Sequence, residues 1–118
     1  MNIFINDNQF RCKVCVTPQA IKDGMKNKTF NMSFNGMFFI LPNKGKQKFW
    51  MYECITPLDI LFIDGDTITE VHNDCLPCDV IEACENYGGY GDHALELPGG
   101  TCQSLGIISG DKIKIGLP

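Results

Sequence analysis

No stretch of this sequence is apolar for long enough to cross a bilayer. Its longest strongly hydrophobic runs, Met37 to Leu41 and Ile60 to Ile63, fall far short of the roughly 20 residues a transmembrane helix needs. Basic residues are also scarce: 10 Lys and Arg face 14 Asp and Glu, a net charge of −4. Phosphate backbones and anionic lipids are gripped by clustered cations, so neither nucleic acid nor membrane is expected as a partner. The nearest thing to a basic cluster, Lys44, Lys46 and Lys48, is interleaved with Gly45 and Gln47 and reads as a solvated hairpin tip. Met1 to Asp7 has neither the basic flank nor the apolar core of a signal peptide, which makes the reducing cytoplasm the expected compartment. Repeats, linkers and low-complexity tracts are missing, so residues 1–118 read as one domain. Catalytic signatures are missing as well. His72 and His93 stand without a Ser or Cys at a nucleophile elbow. Pro98-Gly99-Gly100-Thr101 could offer backbone N–H groups to an anion, but it lacks the length and lysine of a phosphate loop and reads as a capped turn. No cofactor is expected.

What is present is strand patterning. Apolar residues make up 44% and charged residues 20% of the 118, the balance of a chain that can bury a core. Ile3 and Ile5 alternate with polar neighbours, Asn6-Asp7-Asn8 is a turn by composition, and Phe10, Cys12, Val14 and Val16 share one face of a return strand. Thr17-Pro18 starts a short helix, a capping hydroxyl followed by proline at the first helical position. Met37 to Leu41 predicts a central strand, Asn43 to Lys46 a turn, and Phe49 to Tyr52 a further strand. Leu58 to Ile63 and Thr67 to His72 flank Asp64-Gly65-Asp66, a hairpin signal. Asn73 to Gly91 reads as a long loop and His93 to Leu97 as a strand. A short helix follows through Leu105, closed by Gly106, and Ile113 and Ile115 mark the last strand. The sum is a mainly β domain: an antiparallel sandwich or closed barrel of about seven to eight short strands with two or three short helices.

Seven cysteines include two Cys-x-x-Cys pairs, Cys12/Cys15 and Cys75/Cys78. Two such pairs suggest a tetrahedral zinc site. Cys12 and Cys15 lie in a strand, however, where residues three apart point to opposite faces; one buried and one exposed thiol is the expectation. Cys75, Cys78 and Cys84 share the long loop and are the better group. Plain thiols, a Cys78–Cys84 disulfide and a metal site all remain open for them.

Four residues stand out as ligand-binding candidates: Trp50, Asp59, Tyr87 and Glu96. Trp50, the only tryptophan, can stack on a flat ligand or simply pack in the core. Asp59 interrupts Pro57-Leu58-Asp59-Ile60-Leu61-Phe62, and a carboxylate in such company needs a partner. It reads either as a general base or as an anchor for loop amides. Glu96 stands just before Pro98-Gly99-Gly100. Asp59 and Glu96 converging on one cleft would make an acid–base pair; apart, they are two structural carboxylates.

The ordered motifs resemble a family, the bacterial and archaeal domain of unknown function 192 (DUF192). They are Gly24-Met25, Gly36-Met37-Phe38-Phe39, Phe49-Trp50-Met51 and Ile55-Thr56-Pro57-Leu58-Asp59-Ile60-Leu61-Phe62. Pro77-Cys78, Cys84-x-x-Tyr87, Leu95-Glu96-Leu97-Pro98-Gly99-Gly100, Leu105-Gly106-Ile107 and Gly110-Asp111 follow. The resemblance spans nearly the whole chain and implies a compact β-rich fold with no known activity. Many relatives look exported, which favours the disulfide for Cys78 and Cys84. After Trp50-Met51 the family's basic residue, Asn and Thr are replaced by Tyr52, Glu53 and Cys54, so chemistry that uses them does not carry over. Cys12, Cys15, Cys75 and Cys102 fall outside the pattern.

Three functions compete. The first is a small non-catalytic domain that binds a small molecule or a protein, and it expects Trp50 or Tyr87 partly exposed beside a cleft. The second is a hydrolase using Asp59 and Glu96, which requires their carboxyl groups within about 5–10 Å in one pocket. The third is a metal or thiol redox module on the Cys75–Cys84 loop. Whether the chain is an enzyme is left open by its sequence.

Overall fold

The computed structural model describes residues 1–116. Seven strands form one curled half-barrel sheet: β1 (Asn2–Ile5), β2 (Asn8–Cys15), β3 (Gly36–Phe49), β4 (Leu58–Asp64), β5 (Thr67–Cys75), β6 (Tyr87–Pro98) and β7 (Ile113–Gly116). Their order across the sheet is β5-β4-β6-β3-β2-β1-β7. Helices α1 (Pro18–Asp23) and α2 (Thr101–Leu105) are both small. Among the described residues no helix is long and apolar enough to cross a membrane.

The local signals act where the residues demand it. Asn6 and Asp7 both take positive φ, at 49° and 67°, and close the β1–β2 hairpin in the left-handed backbone those two residue types tolerate. Thr17 caps α1 by accepting a hydrogen bond from the Ala20 amide at 3.1 Å. Gly65, at φ 66°, turns β4 into β5, and Gly106, at φ 70°, closes α2.

The sheet is open, in place of the expected sandwich or closed barrel. Edge strands β5 and β7 are joined by no continuous ladder: an isolated bridge, Thr67 to Lys112, a few backbone bonds such as Ile68 N–H to Asp111 O, and side-chain contacts of Ser109 and Lys112 link the two edges. It is not wholly antiparallel either, because β2 and β3 run parallel. Parallel neighbours need a crossover, and the segment between Cys15 and Gly36, with α1 in it, is that crossover. The turn expected at Asn43 to Lys46 is absent. Instead β3 continues through it, with a bulge between Ile40 and Gly45. The glycine-rich start of β6 supplies the partner strand, pairing Gly45 with Gly91 and Phe49 with Tyr87. Lys44, Lys46 and Lys48 therefore sit on a strand, and Lys44 pairs with Asp64 at 2.6 Å.

Both faces of the sheet are covered. An inner core draws residues from all seven strands, among them Ile3, Phe10, Phe38, Leu61, Ile68, Leu95 and Ile113, with Cys102 of α2. An outer core packs Met37, Phe39, Ile60, Phe62 and Ala94 beneath Met25, Phe34, Met51 and Cys54 from the connecting segments. Cys12 belongs to the inner core and Cys15 to the outer, so the two thiols do face opposite ways. Both are buried, contrary to the expectation of one exposed thiol, because the crossover covers the face of β2 that would otherwise meet water. Val14, expected in the core, is 39% exposed.

Candidate functional site

Strand β6 is central, paired to β3 on one side and β4 on the other. Its side chains alternate: Leu95 and Leu97 enter the inner core, Ala94 the outer. Glu96 shares the face of Ala94. Its cross-strand neighbours there are Met37 and Ile60, both fully apolar, so the sheet offers the carboxyl no polar partner. Glu96 is 4% exposed, and its Oε1 is the one buried side-chain oxygen or nitrogen among the described residues with no hydrogen bond. Burial in that setting penalises the charged form and pushes the acid up to about 8 from an ordinary 4.5. At neutral pH the carboxyl is mostly protonated and acts as a donor as well as an acceptor.

A pocket of about 190 Å³ opens above Glu96. The end of α1 and the residues after it (Lys22, Gly24, Lys26) form one side, and the end of β3 with the segment that follows it (Lys48, Trp50, Tyr52) forms another. Gly24 ends the helix at φ 44° and lies close over the floor. A Cβ there would stand 3.6 Å from Glu96 Oε1 and 3.4 Å from the Phe39 ring. Trp50 and Tyr52 present their rings side by side, centroids 5.3 Å apart. Trp50 is 38% exposed, so the core-packing reading of the indole gives way to a partly open one. Lys26 reaches over the Tyr52 ring at 5.7 Å and pairs with Glu53 at 3.4 Å.

Asp59 is elsewhere. In the β4–β6 register it stands opposite Leu97, while Ile60 stands opposite Glu96, which puts the two carboxyl groups on opposite faces of the sheet. The shared cleft that a hydrolase pair requires is not formed. Asp59 is fully buried and accepts three backbone N–H bonds: Asp74 at 2.7 Å and Gly100 at 3.1 Å on Oδ1, and Cys102 at 2.8 Å on Oδ2. The anion at the Pro98–Thr101 turn is thus the chain's own. Asp59 satisfies the first amides of α2 and ties them to β5.

Tyr87 does not line the pocket. It packs edge-on against His72 with centroids 5.4 Å apart, and burial followed by the nearby Glu85 pushes its phenol up to about 12. His72 Nε2 lies 2.7 Å from the Gly88 carbonyl, and His93 Nδ1 lies 2.8 Å from Asp92. Both histidines are part of the sheet's own bonding. Cys78 and Cys84 are joined in a disulfide, with Cα atoms 5.6 Å apart, while Cys75 is a buried thiol pushed up to about 12 by burial and then by Asp59. Two of the three sulfurs proposed as ligands are therefore consumed by each other. Among the described residues no three His, Cys, Asp or Glu side chains converge in a way that would hold a metal.

Of the four sequence candidates, then, Trp50 and Glu96 meet at one pocket and Asp59 and Tyr87 do not. The residues missed were Lys22, Gly24, Lys48 and Tyr52. One signal was available: Trp50 and Tyr52 are two apart in an extended segment, which places both rings on one side.

Comparison with known proteins places this geometry among others. The family model DUF192, described as an uncharacterized ACR, matches residues 1–115. No curated protein matches. A crystal structure of a protein of unknown function from Novosphingobium aromaticivorans DSM 12444 superposes with a TM-score of 0.83. It is 24% identical, and the match covers 97% of this chain and 84% of that one. A second, from Sinorhizobium meliloti 1021 and described as a "putative transcription regulator", has a TM-score of 0.81 at 25% identity, covering 96% and 89%.

Proposed function

We propose, from the premise that this chain belongs to the DUF192 family, that it is a small non-catalytic domain which binds a small molecule in the pocket over Glu96. The observation that carries this reading is the unpartnered Oε1. A buried polar atom without a hydrogen bond costs about 1–3 kcal/mol. Here the carboxyl lies at the floor of a pocket bordered by a partly exposed indole, while Oε1 itself is out of contact with solvent. A ligand that turns the carboxyl toward the pocket and bonds to it removes that cost. The fold gives the carboxyl no polar partner of its own, since Met37, Ile60 and Phe39 surround it.

Catalysis is left out because Asp59, the carboxyl that a paired-acid mechanism would need, lies on the opposite face of the sheet from Glu96. The thiols it influences, Cys15, Cys54 and Cys75, are all raised by burial and stay protonated at neutral pH. DNA is left out because a net charge of −4 opposes a phosphate backbone. The cytoplasm stays part of the reading, and the Cys78–Cys84 disulfide is its check. A thiol count on protein quenched inside intact cells decides it: a bonded pair moves the protein to an oxidising compartment.

The binding test uses the single tryptophan, whose indole N–H gives one resonance. A library of ring-containing fragments is screened by two-dimensional NMR for shifts of that resonance together with the Gly24 amide. Hits that move both, and that Trp50→Ala weakens, support the reading. A library in which no compound moves the pair, or in which shifts scatter over the surface, ends it.

A further inference from the structure

The pocket's rim and floor differ in charge, and the difference selects a ligand. Lys22 and Lys48 line the rim, and neither has an ion-pair partner among the described residues. The acidic groups nearby do not cancel the cations: Asp23, which accepts from Gln19 Nε2 at 2.8 Å, and Glu53, which pairs with Lys26, leave an excess of positive charge among Lys22, Lys26 and Lys48. A wall of two rings, Trp50 and Tyr52, favours a flat body. The volume of about 190 Å³ exceeds the roughly 150 Å³ of a cavity that holds benzene. That is room for one or two fused rings with a substituent, and too little for a dinucleotide.

We infer that the pocket takes a small planar organic anion: a ring stacked on Trp50, an acid group paired with Lys22 and Lys48, and an acceptor atom facing the Glu96 carboxyl. This inference rests on the small-molecule reading above and narrows it to one chemical class. The orientation follows from the chemistry of each end. Lysine ammonium groups at the mouth attract an anion and repel an amine, whatever enters first. At the floor, a carboxyl walled by Met37, Ile60 and Phe39 keeps its proton and offers it to an uncharged acceptor, such as a ring nitrogen or a carbonyl oxygen. The alternative polarity, an ammonium group seated on an ionised Glu96, would have to pass between two unneutralised lysines.

The experiment uses the whole chain and four matched probes: nicotinate, nicotinamide, 3-(aminomethyl)pyridine and benzoate, with the quinoline counterparts as a second ring size. Affinities are read from the Trp50 indole N–H and the Gly24 amide. Nicotinate is expected to bind about tenfold tighter than benzoate, which lacks the ring acceptor, and about tenfold tighter than nicotinamide, which lacks the charge. Lys22→Met with Lys48→Met, on exposed side chains whose loss leaves the fold alone, is expected to bring nicotinate and nicotinamide within about twofold of each other. Glu96→Gln keeps a donor and is expected to preserve the nicotinate preference over benzoate, whereas Glu96→Leu removes it. If 3-(aminomethyl)pyridine binds tightest, or the lysine pair changes nothing, the anion class is wrong while the pocket stands. If no probe of either ring size moves the two resonances up to about 10 mM, the pocket reading falls with it.

Discussion

Replacing Glu96 by Gln makes the protein's stability lose much of its dependence on pH. In the folded chain the carboxyl titrates near 8, and in the unfolded chain near 4.5. Between those values the native state binds a proton that the unfolded state has released, so stability falls as pH rises. The contribution is fully present below about 4.5 and is gone above about 8. The slope within the window is about 1.4 kcal/mol per pH unit. Allowing for the tapered ends, wild type loses about 3 kcal/mol between pH 5.5 and 8.5 through this one group. Against a total of about 5–15 kcal/mol for a domain, that is a large share. Other groups facing Glu96 are Cys15 from β2, Cys54 from the segment after β3, Cys75 from β5, and Lys22, Asp23, Lys26 and Lys48 around the mouth. Their titration is common to wild type and variant, so the difference between the two proteins isolates Glu96. Urea unfolding monitored by circular dichroism at pH 5.5, 7 and 8.5 measures it. The midpoint of wild type should drop relative to Glu96→Gln by about 1.5 M across the range, taking a slope near 2 kcal/mol per molar. A difference that stays constant within about 0.5 kcal/mol would mean that Glu96 is ionised and partnered in the native protein, and the account of the pocket floor would be wrong.

Three further outcomes follow from the same geometry. Asp59→Asn trades a carboxylate for an amide that can accept at one atom only. With three backbone donors to serve, it should cost about 3–5 kcal/mol in urea unfolding and increase hydrogen exchange at the Gly100 and Cys102 amides. Cys78→Ala with Cys84→Ala opens a loop of sequence separation 6 and should cost about 2 kcal/mol. Before any substitution, the denatured wild type should give five free thiols in a colorimetric titration; seven would contradict the pairing. Gly91→Ala should cost more than about 3 kcal/mol, because the new Cβ overlaps the Ile63 backbone, while Gly88→Ala, whose Cβ meets only the Gln47 carbonyl at 3.5 Å, should be tolerated. Similar melting temperatures for those two variants would show that β6 does not lie against β4 as described.

Much of the fold could be read locally because single residues decide it. Asn6-Asp7, Thr17-Pro18, Asp64-Gly65 and Gly106 each satisfy a backbone requirement within a few positions of themselves, and each marks the turn or cap expected of it. The misreadings came from partners far away in the chain. Asn43 to Lys46 has the composition of a turn, yet it runs on as strand because residues 87–91 lie alongside to pair with it. Cys15 has exposed neighbours on β2, yet it is buried because the crossover returns over it. Pairing β2 with β3 in parallel was equally invisible, since nothing in either strand states its neighbour's direction.

The candidate site shows the same division more sharply. Asp59 and Glu96 make similar impressions in the sequence, each a lone acid in an apolar run. Their fates differ because strand side chains alternate with a period of two, so the face each one enters depends on the register between β4 and β6. Ile60 pairs with Glu96, and Asp59 with Leu97. A slip of one residue would have brought both acids to one face. In the observed register Asp59 turns to the side where the Asp74, Gly100 and Cys102 amides converge, and every one of them finds an acceptor. Glu96 turns to the side where Met37 and Ile60 flank it and Gly24 closes over it, and its Oε1 finds none. The carboxyl with partners stabilises the fold. The one without them is the group on which the proposed binding at the pocket above it rests.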